Sequence, residues 1–249
     1  MKRLVKNAYS ALGSRKWLIH NVATNREREK REGVKQKWAM LKRYEPKSVL
    51  DISTNEGQSA ALLPELVPGI PICSVKPMAD CFRQVETFLL DNGPGNAFHY
   101  ALGDETETTT IYRSEFSPSS SLLAMDCLHK SEFPHTANSW PEEIEVRRLD
   151  DLADAMSLEP PIVIKVDVQG FEDRVIAGGK ETFGRAAALV IELTSYPLYQ
   201  SQSTFEDVQE QLQMLGFVFR GGIDQMHSPK DGQILQFDAL FENAGRISQ

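Results

Sequence analysis

The stretch IVIKVDVQGFE, from Ile162 to Glu172, constrains the fold more than any other part of the chain. Four apolar residues are interrupted only by Lys165, and the run ends in an acid, a glutamine and a glycine. Phe171, Val175 and Ile176 then recur at helical spacing. A buried strand that delivers polar groups at its carboxyl end, just before a helix, is how an open α/β sheet builds a binding crevice. Far upstream, SVLDISTNEGQ repeats the arrangement and places Asp51, Asn55 and Gly57 at its exit.

The 249 residues suffice for one large core, and the charge is distributed unevenly along them. Residues 1–47 hold 14 Lys and Arg against 4 Glu, a net of +10, while the remainder holds 13 against 31, a net of −18. An acidic body excludes nucleic acid as the main partner, because phosphate binding needs a basic surface. In the basic segment Leu4, Val5, Ala8 and Leu12 form one apolar stripe, and Val34, Trp38 and Leu41 another. Such stripes either dock the helices on the body or lay them on an anionic membrane surface as a peripheral contact. No apolar run follows Lys2 and Arg3, and none reaches the length of a membrane span, so neither leader nor span is expected. Cys73, Cys81 and Cys127 form no CxxC pair and leave one over, which fits a reducing, cytoplasmic setting. The five histidines lack HxxxH or HExxH spacing, so no metal site is expected.

Beyond Pro46 the pattern alternates: strand Ser48–Ile52, helix Gly57–Val67, strand Ile70–Val75, a helix opened by Pro77, and strand Ala97–Leu102. This order predicts a parallel sheet with right-handed crossovers. Short strands are expected at Thr108–Tyr112 and Ile144–Val146, with a long Ser- and Pro-rich loop, Ser114–Trp140, between them. Strands Ile162–Val166 and Ala188–Leu193, a helix marked by Phe205, Val208, Leu212 and Leu215, and strands Phe217–Phe219 and Ile234–Phe241 complete the pattern. The chain thus divides into a basic helical extension, 1–46, and an α/β domain, 47–249, interrupted by an insertion or lid over about 104–160.

A strand ending in an acid, a turn with glycine and a helix start is a nucleotide-binding arrangement. Here Ser53, Asn55 and Gly57 occupy the glycine spacing, and only one is glycine. The second strand of such folds ends in an acid that accepts hydrogen bonds from ribose hydroxyls. This chain has Lys76 there, which carries only donors. Three readings stand: Lys76 points to solvent while backbone groups hold the ribose, it favours a phosphorylated nucleotide as in NADP enzymes, or the cofactor site is weakened or lost.

With both strand ends in view, the chain resembles the FkbM family of S-adenosylmethionine-dependent methyltransferases. The resemblance runs from about Ser48 to Phe241 and rests on VLDISTNEGQ, SVKP, HYALGDE, SPSSSLL, VRRLDDL, IKVDVQGFE, VIELTSYPLY and LQFDALF, in the family's order. It implies a class I methyltransferase (Rossmann-like) fold: seven strands, mostly parallel, the last antiparallel, with helices on both faces. It also implies S-adenosylmethionine as cofactor and methyl transfer to oxygen, on a small-molecule or glycan hydroxyl. Asp51, Asn55 and Gly57 would line the methionine end, and Leu102, Gly103 and Asp104 the adenine. Ser53 stands where the family usually has glycine, and Lys76 where it has glutamate.

The chemistry requires an acceptor hydroxyl held in line with the methyl group and a group that takes its proton. Asp167 is the first candidate, as base or orienting carboxylate. Lys165, two residues before it on the same strand face, can lower the pKa of a neighbouring acid or pair with Glu192 on the next strand. Glu172 is the second candidate acid, although the first turn of a helix favours an acid for any function. Ser120, Ser121 and His135, in the insertion expected to shape the acceptor pocket, are candidate substrate contacts. The competing reading is a degenerate relative that keeps the fold and acts as a binding module, with Ser53 and Lys76 as its signature. A third reading, an NADP-dependent oxidoreductase using Lys76 for the 2′-phosphate, is disfavoured because this chain lacks the glycine spacing and the Tyr-x-x-x-Lys pair such enzymes carry.

Overall fold

The computed structural model describes residues 25–53 and 58–246. Its contacts separate a unit ending at Met40 from a unit that begins at Leu41. The first contains helix α1 (Asn25–Trp38). Leu4, Val5, Ala8 and Leu12 lie outside the described residues, as do Asn55 and Gly57.

In the second unit the strands are β1 (Ser48–Ser53), β2 (Ile72–Val75), β3 (Gly95–Phe98), β4 (Ala101–Leu102) and β5 (Glu107–Ser114). They continue as β6 (Ser139–Arg147), β7 (Ile162–Asp167), β8 (Ala186–Thr194), β9 (Phe217–His227) and β10 (Ile234–Asn243). Seven form one sheet in the order β3-β2-β1-β7-β8-β10-β9. The first five in that order run parallel, and β10, last in the chain, lies antiparallel between β8 and β9. This is the mostly parallel, seven-stranded class I methyltransferase sheet. The connecting helices are α2 (Gln58–Leu66), α3 (Ala79–Asn92), α4 (Cys127–Glu132), α5 (Leu149–Met156), α6 (Glu172–Ala177), α7 (Lys180–Gly184) and α8 (Phe205–Met214).

The core explains the unbroken apolar runs. Ile162, Ile164, Val166, Leu189 and Ile191 are buried between helices, each contributing about 1.5–3 kcal/mol of burial free energy. β1 and β2 are buried along their whole length, so their polar residues Asp51, Ser53 and Ser74 are carried inside with them.

Three expectations change. The strand anticipated over Ala97–Leu102 is two: Gly95–Phe98 pairs with β2, and Ala101–Leu102 turns away to pair with β6 in a second, three-stranded sheet. There Ala101 joins an apolar cluster with Met78, Cys81, Ile111, Ile144 and Val146, which draws it out of the main sheet. The anticipated Ser114–Trp140 loop holds two 3₁₀ turns, Ser117–Ser119 and Pro134–Thr136, and helix α4. β9 extends well past Phe219; Gly221, with a φ of +130°, and register shifts in its pairing with β10 break the two-residue alternation that marks a strand.

Candidate functional site

The chain winds outward from β1 through β2 to β3, then returns to the other side of β1 with β7. The crevice of an open α/β sheet lies where the winding reverses, here between the carboxyl ends of β1 and β7. Two rows of polar residues cross the sheet at this point. Ser74, Asp51 and Lys165 are partners across β2, β1 and β7. One step further along, Ser53 faces Asp167, Glu192 faces Asp238, and Lys76 directly follows β2. Alternate strand residues share a face, so Lys165 lies with Asp167, and Asp51 with Ser53.

On the β2 side the site is dry. Lys76 and Asp51 have no solvent exposure at all. Lys76 Nζ donates to Asp51 Oδ2 at 2.9 Å and to Ser53 Oγ, and Ser74 Oγ donates to the same Asp51 oxygen at 2.8 Å. Burial works against the Asp51 carboxylate, but Lys76 and Lys165 outweigh it and hold the carboxyl below its usual range. Burial dominates at Lys76 and draws its ammonium below the ordinary lysine value despite Asp51. Of the three readings of Lys76, its pointing to solvent is excluded.

On the β7 side Asp167 and Glu192 are partly exposed, while Lys165 and Gln169 are buried. Lys165 Nζ donates to Asp167 Oδ2 at 2.7 Å, and Gln169 Nε2 donates to Asp167 Oδ1 at 2.9 Å. The same amide donates to Glu192 Oε2, which also accepts from Gln236 Nε2 at 3.0 Å. Lys165 therefore pairs with Asp167, and Glu192 is held by amides. Tyr199 Oη donates to Gln169 Oε1 at 2.9 Å, which fixes the amide with its nitrogen toward the acids. These surroundings drive the two carboxyls apart. Burial opposes charge on Asp167, yet Lys165 and Gln169 hold it below the usual range. Burial raises Glu192 well above its ordinary value, reinforced by the charges of Asp167 and Asp238. Lys165, depressed by burial alone, is raised above its ordinary value by Asp167 and Asp51.

Gln169, Tyr199 and Gln236 were not among the sequence candidates. Gln169 has φ +57°, in the left-handed region, and Gly170 follows at +99°. A polar residue between a strand-end acid and a glycine was the available signal. Tyr199 and Gln236 lie in VIELTSYPLY and LQFDALF, where nothing local marks them.

The other candidates are held more locally. Glu172 Oε1 accepts from the Val168 and Gly170 amides, each at 3.2 Å, and so braces the turn that carries Gln169. Burial raises its pKa to about 7 against those hydrogen bonds. Ser121 Oγ donates to the Gln169 carbonyl at 2.6 Å, tying the insertion to the site, while Ser120 Oγ accepts from the Ser114 amide at 3.0 Å. His135 is exposed beside Phe116, whereas buried His129 packs edge-on to Tyr199 with its pKa lowered to about 4, chiefly by burial. Leu102 is buried, Gly103 packs under Phe171 and Gly178, and Asp104 accepts from Arg174 at 3.0 Å.

An adenosyl cofactor needs an acceptor for its ribose at the end of β2. None is offered there to the ribose hydroxyls: Lys76 carries only donors, has no exposure and is engaged with Asp51 and Ser53. Asp51 Oδ1, without a hydrogen-bond partner among the described residues, is the one open acceptor, and it too is buried.

Known proteins bear on this geometry. The curated 2-O-methyltransferase NoeI of Sinorhizobium fredii (strain NBRC 101917 / NGR234) is 29% identical over 178 residues, covering 66% of this chain and 70% of NoeI. Among solved structures, Sp1610 of Streptococcus pneumoniae aligns with a TM-score of 0.44 at 9% identity, over 78% of this chain and 63% of that one. The Methanococcus jannaschii fibrillarin pre-rRNA processing protein aligns with a TM-score of 0.44 at 9% identity, over 79% and 66%. The chain thus spans less than two thirds of either structure. Residues 19–219 match the methyltransferase FkbM domain, and with most of its length inside that match the chain belongs to the FkbM methyltransferase family.

Proposed function

We propose that this protein transfers a methyl group from S-adenosylmethionine to a hydroxyl of a sugar, glycan or other small hydroxylated acceptor. The observation that carries the reading is the pair Asp167 and Glu192, bridged by the Gln169 amide and driven to opposite proton affinities. Neighbouring carboxyls pushed apart in this way divide the roles of proton acceptor and proton donor between them.

A hydroxyl set against Asp167 donates its hydrogen to an ionised carboxylate, which orients an oxygen lone pair and receives the proton as the hydroxyl reacts. Glu192, its proton affinity raised by burial and the neighbouring acids, takes the donor role toward an adjacent oxygen of the same acceptor. One accepting and one donating carboxyl side by side match two neighbouring oxygens, as in a sugar diol. Lys165 keeps Asp167 ionised, and Gln169 sets the separation of the two acids. The name of NoeI, a 2-O-methyltransferase, supports oxygen as the accepting atom.

The test is mass-spectrometric detection of methyl transfer across a panel of hydroxylated sugars and glycans. In Asp167→Asn the rate should fall by about 10²–10⁴-fold. Glu192→Gln, which still donates a hydrogen bond, should lose less and chiefly in KM. Undiminished transfer by Asp167→Asn would rule the mechanism out.

A further inference from the structure

Ser53 and Lys76, which stand where the resemblance leads one to expect glycine and glutamate, touch each other. Lys76 Nζ donates to Ser53 Oγ as well as to Asp51 Oδ2. A glycine at 53 has no hydroxyl to offer, and a glutamate at 76 would set a second carboxylate against buried Asp51. The exchanges are therefore one device: a lysine, its counterion and the hydroxyl that takes another of its hydrogens.

We propose that the Lys76–Asp51–Ser53 cluster is an internal plug at the ribose place, which weakens nucleoside binding by this chain and removes the ribose hydroxyls from recognition. Lysine cannot accept from a hydroxyl. With no exposed surface on Lys76, a ribose reaches the end of β2 only by displacing it. Displacement strands Asp51, whose Oδ2 also holds Ser74, as a buried carboxylate without its nearest cation. The open oxygen, Asp51 Oδ1, does not relieve this, because a ligand approaching it meets the same obstruction. Access to the nucleoside site is thus set by residue 76 and not by the acceptor side.

The inference rests on an adenosyl donor, so its test is read without acceptor. Calorimetric titration with S-adenosylhomocysteine and its 2′,3′-dideoxy analogue is carried out on the natural protein, on Ser53→Gly/Lys76→Glu, and on Lys76→Gln, which keeps a donor for Asp51 and gains an acceptor. Circular dichroism identifies the variants that retain the natural fold. The folded variants should bind S-adenosylhomocysteine roughly tenfold or more tightly than the natural protein, the scale of hydrogen bonds to a charged or buried polar group. Only in them should deleting the ribose hydroxyls cost affinity; in the natural protein the two ligands should agree within about twofold, or both be silent. Equal binding by natural protein and variants, hydroxyl dependence in the natural protein, or no gain in any folded variant would each overturn the proposal. Failure of methyl transfer with this binding pattern intact counts against the acceptor reading alone.

Discussion

Lys76 Nζ lies 2.9 Å from Asp51 Oδ2, and neither side chain has any exposed surface. The pair sits at the end of a sheet whose neighbouring strands supply a second lysine and a second acid, Lys165 and Asp167, 2.7 Å apart. One pair is sealed, and in the other Lys165 is buried while Asp167 is partly exposed.

Breaking the sealed pair from one side should be costly. Lys76→Met leaves Asp51 buried without its main counterion and should lose about 3–5 kcal/mol in urea unfolding. Lys76→Met/Asp51→Asn, with no charge left to strand, should lose much less. Asp51 is depressed in the folded state, so its contribution is present above its ordinary pKa of 3.8 and is lost as pH falls through the folded value. The double variant should therefore lose less stability than the natural protein on acidification.

Glu172 gives the opposite sign. Its folded pKa of about 7 exceeds the ordinary 4.5, so the folded protein binds the extra proton between those values. Stability from this group is complete below pH 4.5 and declines as pH rises toward 7, by up to about 1.4 kcal/mol per pH unit. Unfolding of Glu172→Gln across that window should show a flatter slope, and an unchanged slope would refute the assignment.

At Gln169, backbone and side chain can be separated. The φ of +57° suits glycine and opposes a β-branched residue. Gln169→Val should be less stable than Gln169→Gly by about 1–2 kcal/mol. Both lose the amide that spaces Asp167 and Glu192, so both should lose methyl transfer on the order of 100-fold. Thermal melts and initial rates on the same samples decide the point.

Two glycines should respond oppositely to alanine. A Cβ on Gly178 would lie 1.8 Å from the Gly103 carbonyl oxygen, so Gly178→Ala should force α6 away from Gly103 and cost about 3 kcal/mol. Gly184 has nothing within 4 Å of its Cβ position, and Gly184→Ala in α7 should be neutral or stabilising by about 0.4–1 kcal/mol. Melting temperatures of the two variants test both.

The sequence by itself determined the sheet and the strand ends. Ile162–Val166 and Ser48–Ile52 read as buried strands because a strand covered on both faces must be apolar nearly throughout; Asp167 does close β7, whereas Asp51 lies inside β1, two residues before its end. Asp167, Lys165, Glu172 and Glu192 were legible because charged groups inside or next to apolar runs need a reason. Only the tertiary structure decided what those groups touch. Lys165 chose Asp167 on its own strand, and Glu192 was left to Gln169 and Gln236, an outcome fixed by β10 lying beside β8. Tyr199 and Gln236 carry no local signal, since they approach Gln169 and Glu192 from distant parts of the chain. Lys76 makes the same point: its chemistry, donors only, was fixed by the residue type, but its partners were set by the register that lays Ser74 beside Asp51. Periodicity records which face of an element is buried, whereas a site is built from contacts across elements, and those exist only once the strands are ordered.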